Sequence, residues 1–447
     1  MEVKVFIDKL FEKAKRAGFE EYEVYYVDKE SLSINVYKEE VEKYNLTSSY
    51  GLSFRGKVNG KIGYSYTEIL DEDAIDMLVK NSMESALAIE NNDLQFIYEG
   101  DREYANVNTY HKELENVNPN KLIDLALAME KEAKNLDDRV VSFQGCGIGY
   151  SNAKYGIVNS KGLNLENKSN LLSAYVIPII KAEENMLDGM GYTVAKSVNE
   201  INPKRLAEDG VKEAISKIGA RSIASGKYKI VINNEAMVSL LGTFCGVFSG
   251  DAAQKGLSLL KDKEGEIIAS GKVTIIDDPH LEDGLASVPF DDEGVATRKK
   301  DIIKEGKLIT LLHNLKTAHK GNTRTTGNGF KSSYASSVGV SPTNFYLKPG
   351  DKAFKELLEE VGEGVIITEF AGLHSGANSI TGDFSLAAKG FCIKDGKQDF
   401  PVEQITVAGN FFDLLKNIEE VGNDLKFPMS SVGSPSVIVK ELSIAGK

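Results

Sequence analysis

The chain has no tryptophan, and among its 447 residues only three cysteines, ten prolines and five histidines. Cys146, Cys245 and Cys392 lie far apart and form no CxxC pair, which leaves neither a zinc knuckle nor a disulfide framework to read. Free, buried thiols are expected. The histidines, His111, His280, His313, His319 and His374, make no HExxH or HxH spacing. No GxSxG nucleophile elbow occurs. No stretch approaches the roughly 18 uninterrupted apolar residues of a membrane helix. Met1–Ile7 mixes acid and base without an apolar signal core, so a cytoplasmic chain is expected. Basic charge is also short: the net charge is −13. The one compact basic run, Arg298-Lys299-Lys300, sits beside Asp291, Asp292, Glu293 and Asp301, a pattern of a solvated face. Direct nucleic-acid binding, which needs a basic stripe, is disfavoured.

What remains is an ordinary folded composition, 42% hydrophobic and 27% charged. The length predicts two to four domains at roughly 100–200 residues each. Val3, Phe6, Leu10, Phe11, Ala14 and Ala17 fall on one helical stripe that Gly18 ends. Alternation then takes over at Val24, Tyr26, Leu32, Ile34 and Val36, and Asn59-Gly60 predicts a type I′ hairpin turn. A helix is expected from Asp71 to Ile89, with Ala74, Leu78, Met83 and Leu87 inward. The grammar repeats. A helix opens after Asn118-Pro119, alternating stretches follow at Val140–Tyr150, Tyr155–Asn164 and Ser169–Ile180, and a closing helix starts at Asn202-Pro203.

From Tyr228 the texture changes. A short apolar strand leads into a very apolar helix, Glu235–Phe248. Short Gly-punctuated strands follow, among them Glu266–Ala269, Lys272–Ile276 and Val437–Lys440, with only Asp351–Val361 and Asn410–Ile418 read as further helices. The expected fold is α+β. A duplicated helix–strands–helix half, residues 1–108 and 109–224, precedes a β-rich mixed or antiparallel domain, residues 225–447. No Gly/Ser linker is long enough for free domain motion.

Candidate chemistry is sparse. His313 and His319, six apart, share a face only on a strand. With Asp277, Asp278 and His280 they could contribute oxygen and nitrogen ligands to a cation. Gly321–Gly329 could present amides to an anion, or be a plain polar loop.

Several longer motifs are more telling. Pro289-Phe290-Asp291-Asp292-Glu293-Gly294 is followed by Ser375-Gly376-Ala377-Asn378-Ser379-Ile380-Thr381-Gly382-Asp383, Ile405–Asn410, Val421-Gly422-Asn423-Asp424 and Gly433-Ser434-Pro435-Ser436. In this order they resemble the TldD/PmbA peptidase family, once labelled modulators of DNA gyrase, and the last resembles its PmbA (TldE) branch. The resemblance implies a zinc-binding HExxxH helix and a distal cysteine in the active TldD branch. Here the corresponding positions are Leu241, Gly242 and Gly246, and Met237–Gly250 holds no His, Asp or Glu; Asn423–Ser436 holds no cysteine. These side chains offer zinc no lone pair. The resemblance therefore implies a catalytically silent chain without a cofactor, zinc being expected only in a TldD-type partner. It further implies a heterodimer with that subunit, or a homodimer, around a chamber for unfolded peptides. His374, Asn378 and Asp383 are the candidate groove or partner contacts, with a self-capping turn as the alternative reading. A stand-alone homodimeric binding module, and a hydrolase using Asp278, His280 and His313, remain the competing expectations.

Overall fold

The computed structural model describes residues 1–90 and 95–447. Helix α1 (Val3–Arg16) buries Phe6, Ile7, Leu10 and Ala14, and Gly18 turns the chain at φ +90°. Strands β1 (Glu21–Tyr37), β2 (Glu40–Val58) and β3 (Lys61–Thr67) follow as an antiparallel meander. The β2–β3 turn has φ 50° at Asn59 and 76° at Gly60, the two left-handed residues a type I′ turn requires. Helix α2 (Glu72–Ala88) is capped by Asp71, whose carboxylate accepts from the Ala74 amide.

The second unit repeats the order: α3 (Pro119–Leu136), β4 (Val140–Asn159), β5 (Asn164–Ala182), β6 (Asn185–Asp188), β7 (Gly191–Ala195) and α4 (Pro203–Ser216). Asn118 and Asn202 cap its two helices, each ahead of a proline in the first turn. The two alternating stretches expected at Val140–Tyr150 and Tyr155–Asn164 merge into the single strand β4. The units do not form separate sheets. β1 pairs antiparallel with β4 from Glu23↔Asn159 to Asn35↔Gly147, giving one sheet of order β3-β2-β1-β4-β5-β6, with β7 also on β5. Helices α1 and α2 cover Val24, Tyr26, Leu52 and Phe54. Helices α3 and α4 cover Leu32, Ile34, Ile148 and Val176 on the other half.

Leu87 departs from expectation: it is 62% exposed, and Ser82 and Ala86 face the sheet instead. The cause is close approach at Gly63 of β3, where an added Cβ would meet the Ser82 carbonyl at 1.7 Å and the Ala86 amide at 2.6 Å. Only the small-residue side of α2 fits there. Gly63→Ala is expected to force the helix outward and cost about 3 kcal/mol, read as a lowered denaturant midpoint. An unchanged midpoint would show that the helix yields freely.

Among the described residues, one edge of the sheet is bare. Glu40–Ser49 of β2 pairs only with β1, because β3 reaches no further than Leu52, and this segment is exposed throughout, Val41, Tyr44 and Leu46 included. On β5 the chain covers the equivalent position. The Asn170 amide donates to the Thr109 carbonyl at 3.1 Å, and the Thr109 hydroxyl to that of Lys168 at 2.6 Å.

The C-terminal domain is built on β8 (Gly226–Ile232) and α5 (Asn234–Phe244). β8 lies parallel to Gly364–Ala371 and antiparallel to Val437–Ala445. Asp383–Lys394 and Lys397–Asn410 extend one side of this mixed sheet and Ile418–Val421 the other. A second sheet orders Lys307–Leu308, Lys300–Lys304, Ile275–Asp277, Phe345–Leu347 and Val432–Gly433. Helix α5 drives Met237, Leu240, Leu241 and Phe244 into the core, where Phe244 stacks on Phe411 with centroids 4.6 Å apart. Each such burial stabilises by about 1.5–3 kcal/mol.

Three helices were not expected: Gly250–Gln254, Leu315–Lys320 and Leu373–Gly376. Each is too short to show a helical period. The first two are set by side-chain caps from Ser249 and Asn314. Glu266–Ala269 forms no strand, contributing a single bridge from Ile267 to Lys307. No helix among the described residues is long and apolar enough to cross a membrane.

Candidate functional site

A cavity of about 970 Å³ lies between the second unit and the C-terminal domain, along α5. Asn234, Glu235, Val238, Ser239, Gly242 and Thr243 line it, the repeat of one helical face. The Ser239 hydroxyl donates to the Glu235 carbonyl at 3.0 Å and the Thr243 hydroxyl to that of Ser239 at 2.8 Å. Both hydroxyls have spent their protons on the helix and keep lone pairs to accept with.

The start of α5 is held by the tail of the chain. The Asn234 amide donates to the Asp424 carbonyl at 3.1 Å and to its carboxylate at 3.2 Å. The same carboxylate accepts from the Ser436 amide at 2.9 Å and hydroxyl at 2.7 Å. Gly422–Asp424 and Gly433–Ser436, separate in sequence, thus meet at the first turn of α5. Beside them Glu235 accepts from Lys426 at 2.5 Å and from the Tyr192 hydroxyl at 3.0 Å, joining β7 to the tail. Lys426 also sits 5.0 Å from the Tyr192 ring centroid, and burial pushes that phenol up to about 12.

The helix expected to run to Phe248 ends at Phe244 and gives way to a 3-10 turn, Cys245–Phe248. Of the three positions singled out, Leu241 and Gly242 therefore lie on α5 and Gly246 beyond it; Gly242 lines the cavity. Leu241 is fully buried in the core, and a Cβ added at Gly246 would meet nothing within 4 Å. Cys245 packs half-buried against the core, burial raising its thiol. Cys146 is buried, donates to the Ala126 carbonyl at 3.4 Å and is pushed up to about 12, an inert thiol.

The other polar candidates are dispersed. Asp278 pairs with Lys299 at 2.8 Å. His280 Nε2 lies 3.1 Å from the Thr297 hydroxyl, and His313 Nδ1 3.2 Å from that of Thr317. The His319 ring lies against Phe96, centroids 5.0 Å apart. Among the described residues no three His, Cys, Asp or Glu side chains gather into a metal-binding group. The Gly321–Gly329 loop spends amides within the protein: Gly329 N–H on Asp291 at 2.8 Å and Thr326 N–H on the His313 carbonyl at 3.1 Å. His374 stands exposed on the turn Leu373–Gly376. Asn378 accepts from the Ile380 and Thr381 amides at 2.9 and 3.2 Å, and Asp383 accepts from Asn410 at 2.9 Å. The Asn378 amide reaches the Asp383 carbonyl at 2.8 Å, so the loop caps itself; none of its three candidates lines the α5 cavity.

Asp291, Asp292 and Glu293 do something else: all three are buried where the C-terminal domain meets the N-terminal sheet. Asp291 accepts from the Glu293, Val295 and Gly329 amides at 3.0, 3.0 and 2.8 Å. Asp292 accepts from the Lys331 amide at 2.8 Å, and Glu293 from the Leu315 amide at 2.8 Å. From the sheet come Glu23 and Arg55, a cross-strand pair whose Arg55 Nε donates at 2.9 Å, its Nη2 making a second contact. The Lys331 ammonium donates to Ser53 at 3.0 Å and lies 4.4 Å from the Tyr25 ring centroid. Burial raises Glu293 to about 7, opposed by Arg55, and lowers Lys331 to about 7. Sequence reading missed Glu23, Arg55 and Lys331. The first two fall on the polar phase of an alternating strand, which normally marks a solvent face.

Three family models cover most of the chain. Residues 22–86 match the PmbA/TldA metallopeptidase domain 1, residues 112–218 its central domain and residues 225–446 its C-terminal domain. Metalloprotease PmbA of Escherichia coli O157:H7 is 33% identical over 74% of this chain and 71% of that protein. The chain belongs to the PmbA/TldD peptidase family. The crystal structure of a Thermotoga maritima protein, provisionally described as a modulator of a DNA gyrase, matches with TM-score 0.92 and 34% identity over 99% of this chain and all of that one. TldE from Thermococcus kodakarensis shares the fold, with TM-score 0.90, over 99% of this chain and 100% of that one at 20% identity.

A metallopeptidase family implies a metal, and the described residues of this member do not fit one. Zinc is held by imidazole, thiolate or carboxylate in tetrahedral array. The cavity lining includes no histidine and no cysteine. Of the five carboxylates that line it, Glu213, Glu235 and Glu369 already serve Lys217, Lys426 and Lys389, and with Asp188 and Glu403 they form no group of three ligands among the described residues. No hydrolytic step through a metal is derived from this chain.

Proposed function

We propose that this PmbA/TldD-family chain is the non-catalytic, PmbA/TldE-like subunit of an intracellular TldD/TldE-type peptidase. It pairs with a metal-bearing TldD-type subunit and holds an unfolded peptide for that partner to cleave. The observation that carries the reading is the face of α5. It lines a large cavity, yet presents Val238, Ser239, Gly242 and Thr243 where a metallopeptidase needs ligands and a general base. The lone pairs of Ser239 and Thr243 suit peptide N–H groups, which an extended chain offers whatever its sequence. The relatives named metalloproteases bring cleavage to this chain as a property of the assembly. A second reading, a homodimeric binding module, draws support from the bare edge Glu40–Ser49, a template for a strand of another copy.

The test combines metal analysis of the purified chain with cleavage of an unfolded peptide, with and without a TldD-type subunit. The expected result is far less than one equivalent of zinc and cleavage only in the mixture. One equivalent of zinc with cleavage by this chain alone overturns the proposal. A metal-poor homodimer that ignores the TldD-type subunit favours the second reading.

A further inference from the structure

The α5 cavity has two chemical features beyond its size. The first is exposed thioether. Met186 within the second unit's β6 strand, Met190 just after it, and Met429 on the C-terminal tail all line it, 57%, 37% and 36% exposed. Met190 is held in place by its amide, which donates to Glu213 at 2.9 Å, and Met429 sits at φ 48°. Met190 is contributed by the second unit and Met429 by the C-terminal domain. A methionine side chain is flexible and polarisable, and fits apolar groups of differing shape.

The second is an excess of negative charge. Five carboxylates line the cavity (Asp188, Glu213, Glu235, Glu369 and Glu403) against three ammonium groups, a balance of −2. Each ammonium group is neutralised within the protein: Lys217 by Glu213 at 2.8 Å, Lys389 by Glu369 at 3.4 Å and Lys426 by Glu235 at 2.5 Å. Asp188 and Glu403 are left without a salt-bridge partner among the described residues, both partly exposed. Such a site attracts cationic ligands, repels anionic ones, and loses that preference as salt rises.

We infer that the cavity selects peptide segments that combine large apolar with basic side chains. Met186, Met190 and Met429 receive the apolar groups, and Asp188 and Glu403 the basic ones. This rests on the reading of the chain as a peptide-holding subunit and adds the composition it chooses.

The test measures binding of the full-length chain to four labelled decapeptides by fluorescence anisotropy, at low and high salt. Their compositions are Leu/Lys, Leu/Glu, Ser/Lys and Ser/Glu. The Leu/Lys peptide is expected to bind about tenfold or more tighter than either the Leu/Glu or the Ser/Lys peptide. The triple variant Met186→Ser, Met190→Ser, Met429→Ser should lose the preference for leucine while keeping that for lysine. Asp188→Asn with Glu403→Gln should do the reverse and abolish the salt dependence. Equal binding of all four peptides, or preferences unmoved by these surface substitutions, overturns the inference. If the mixture with a TldD-type subunit still cleaves peptides while no composition is preferred, the inference falls and the subunit reading stands. If no peptide binds and the mixture cleaves none, both fall.

Discussion

Replacing Arg55 with methionine is expected to cost about 3–5 kcal/mol of stability, among the largest effects of any single change outside the hydrophobic core. The guanidinium is buried between Glu23, which it contacts directly, and the Glu293 carboxylate. Its removal leaves buried negative charge uncompensated, and that penalty exceeds the value of the pair itself. The double variant Glu23→Gln, Arg55→Met should recover much of the loss, because it removes the stranded charge together with its partner. Denaturant midpoints of the wild type, the two single variants and the double variant form the cycle. A near-silent Arg55→Met would mean that water reaches Glu23 and that the domain interface is looser than its geometry implies.

The second large effect is a pH slope carried by Glu293. Its folded pKa, about 7, lies above the ordinary value of 4.5 because burial opposes ionisation. The folded state therefore holds this proton more tightly than the unfolded chain does. The stability it contributes is complete below about pH 4.5 and is lost as pH rises through about 7, a change on the order of 1–3 kcal/mol. Lys331 acts in another window. With its folded pKa lowered to about 7, it favours the neutral amine, so stability grows as pH rises from about 7 toward the ordinary lysine value. Glu293→Gln should reduce the slope between pH 5 and 7 without abolishing it, because burial also raises Asp291 and Asp292. It should lower Lys331 further, since the Glu293 charge helps to hold it up. Denaturant midpoints measured across that range decide it: parallel curves for wild type and variant would show that Glu293 is ionised in the folded protein throughout.

The architecture was legible wherever one face of an element was apolar over several turns or pairs. The stripe of α1, the alternation of β1, the Asn59-Gly60 turn and the asparagine–proline starts of α3 and α4 each rest on local chemistry, and each stands in the fold. What could not be read is long-range. Nothing in β1 or β4 announces that they pair and fuse the repeats into one sheet. Nothing in α2 tells that Gly63 will press against Ser82 and turn Leu87 outward. The site divides the same way. The absence of histidine and acid between Met237 and Gly250 is plain in the sequence, as is the Asp291–Glu293 run. That this run would be buried against Glu23 and Arg55 depends on residues more than 200 positions away. The α5 cavity combines parts of seven segments, so its methionines and unpaired carboxylates have no common signal along the chain.

The fused sheet has a further consequence, for the nascent protein. Its last strand ends at Ala195, while the groups that cover its polar face, Asp292, Glu293 and Lys331, come 97, 98 and 136 positions later. At about 5–20 residues per second on the ribosome, that gap lasts on the order of 10 s. Throughout it the Glu23–Arg55 pair lies open to water and Ile157 and Tyr155 lack the Phe290 contact that shields them in the finished molecule. Until residues 290–331 have been made, nothing in the chain can supply the cover that this face of the sheet has in the finished molecule.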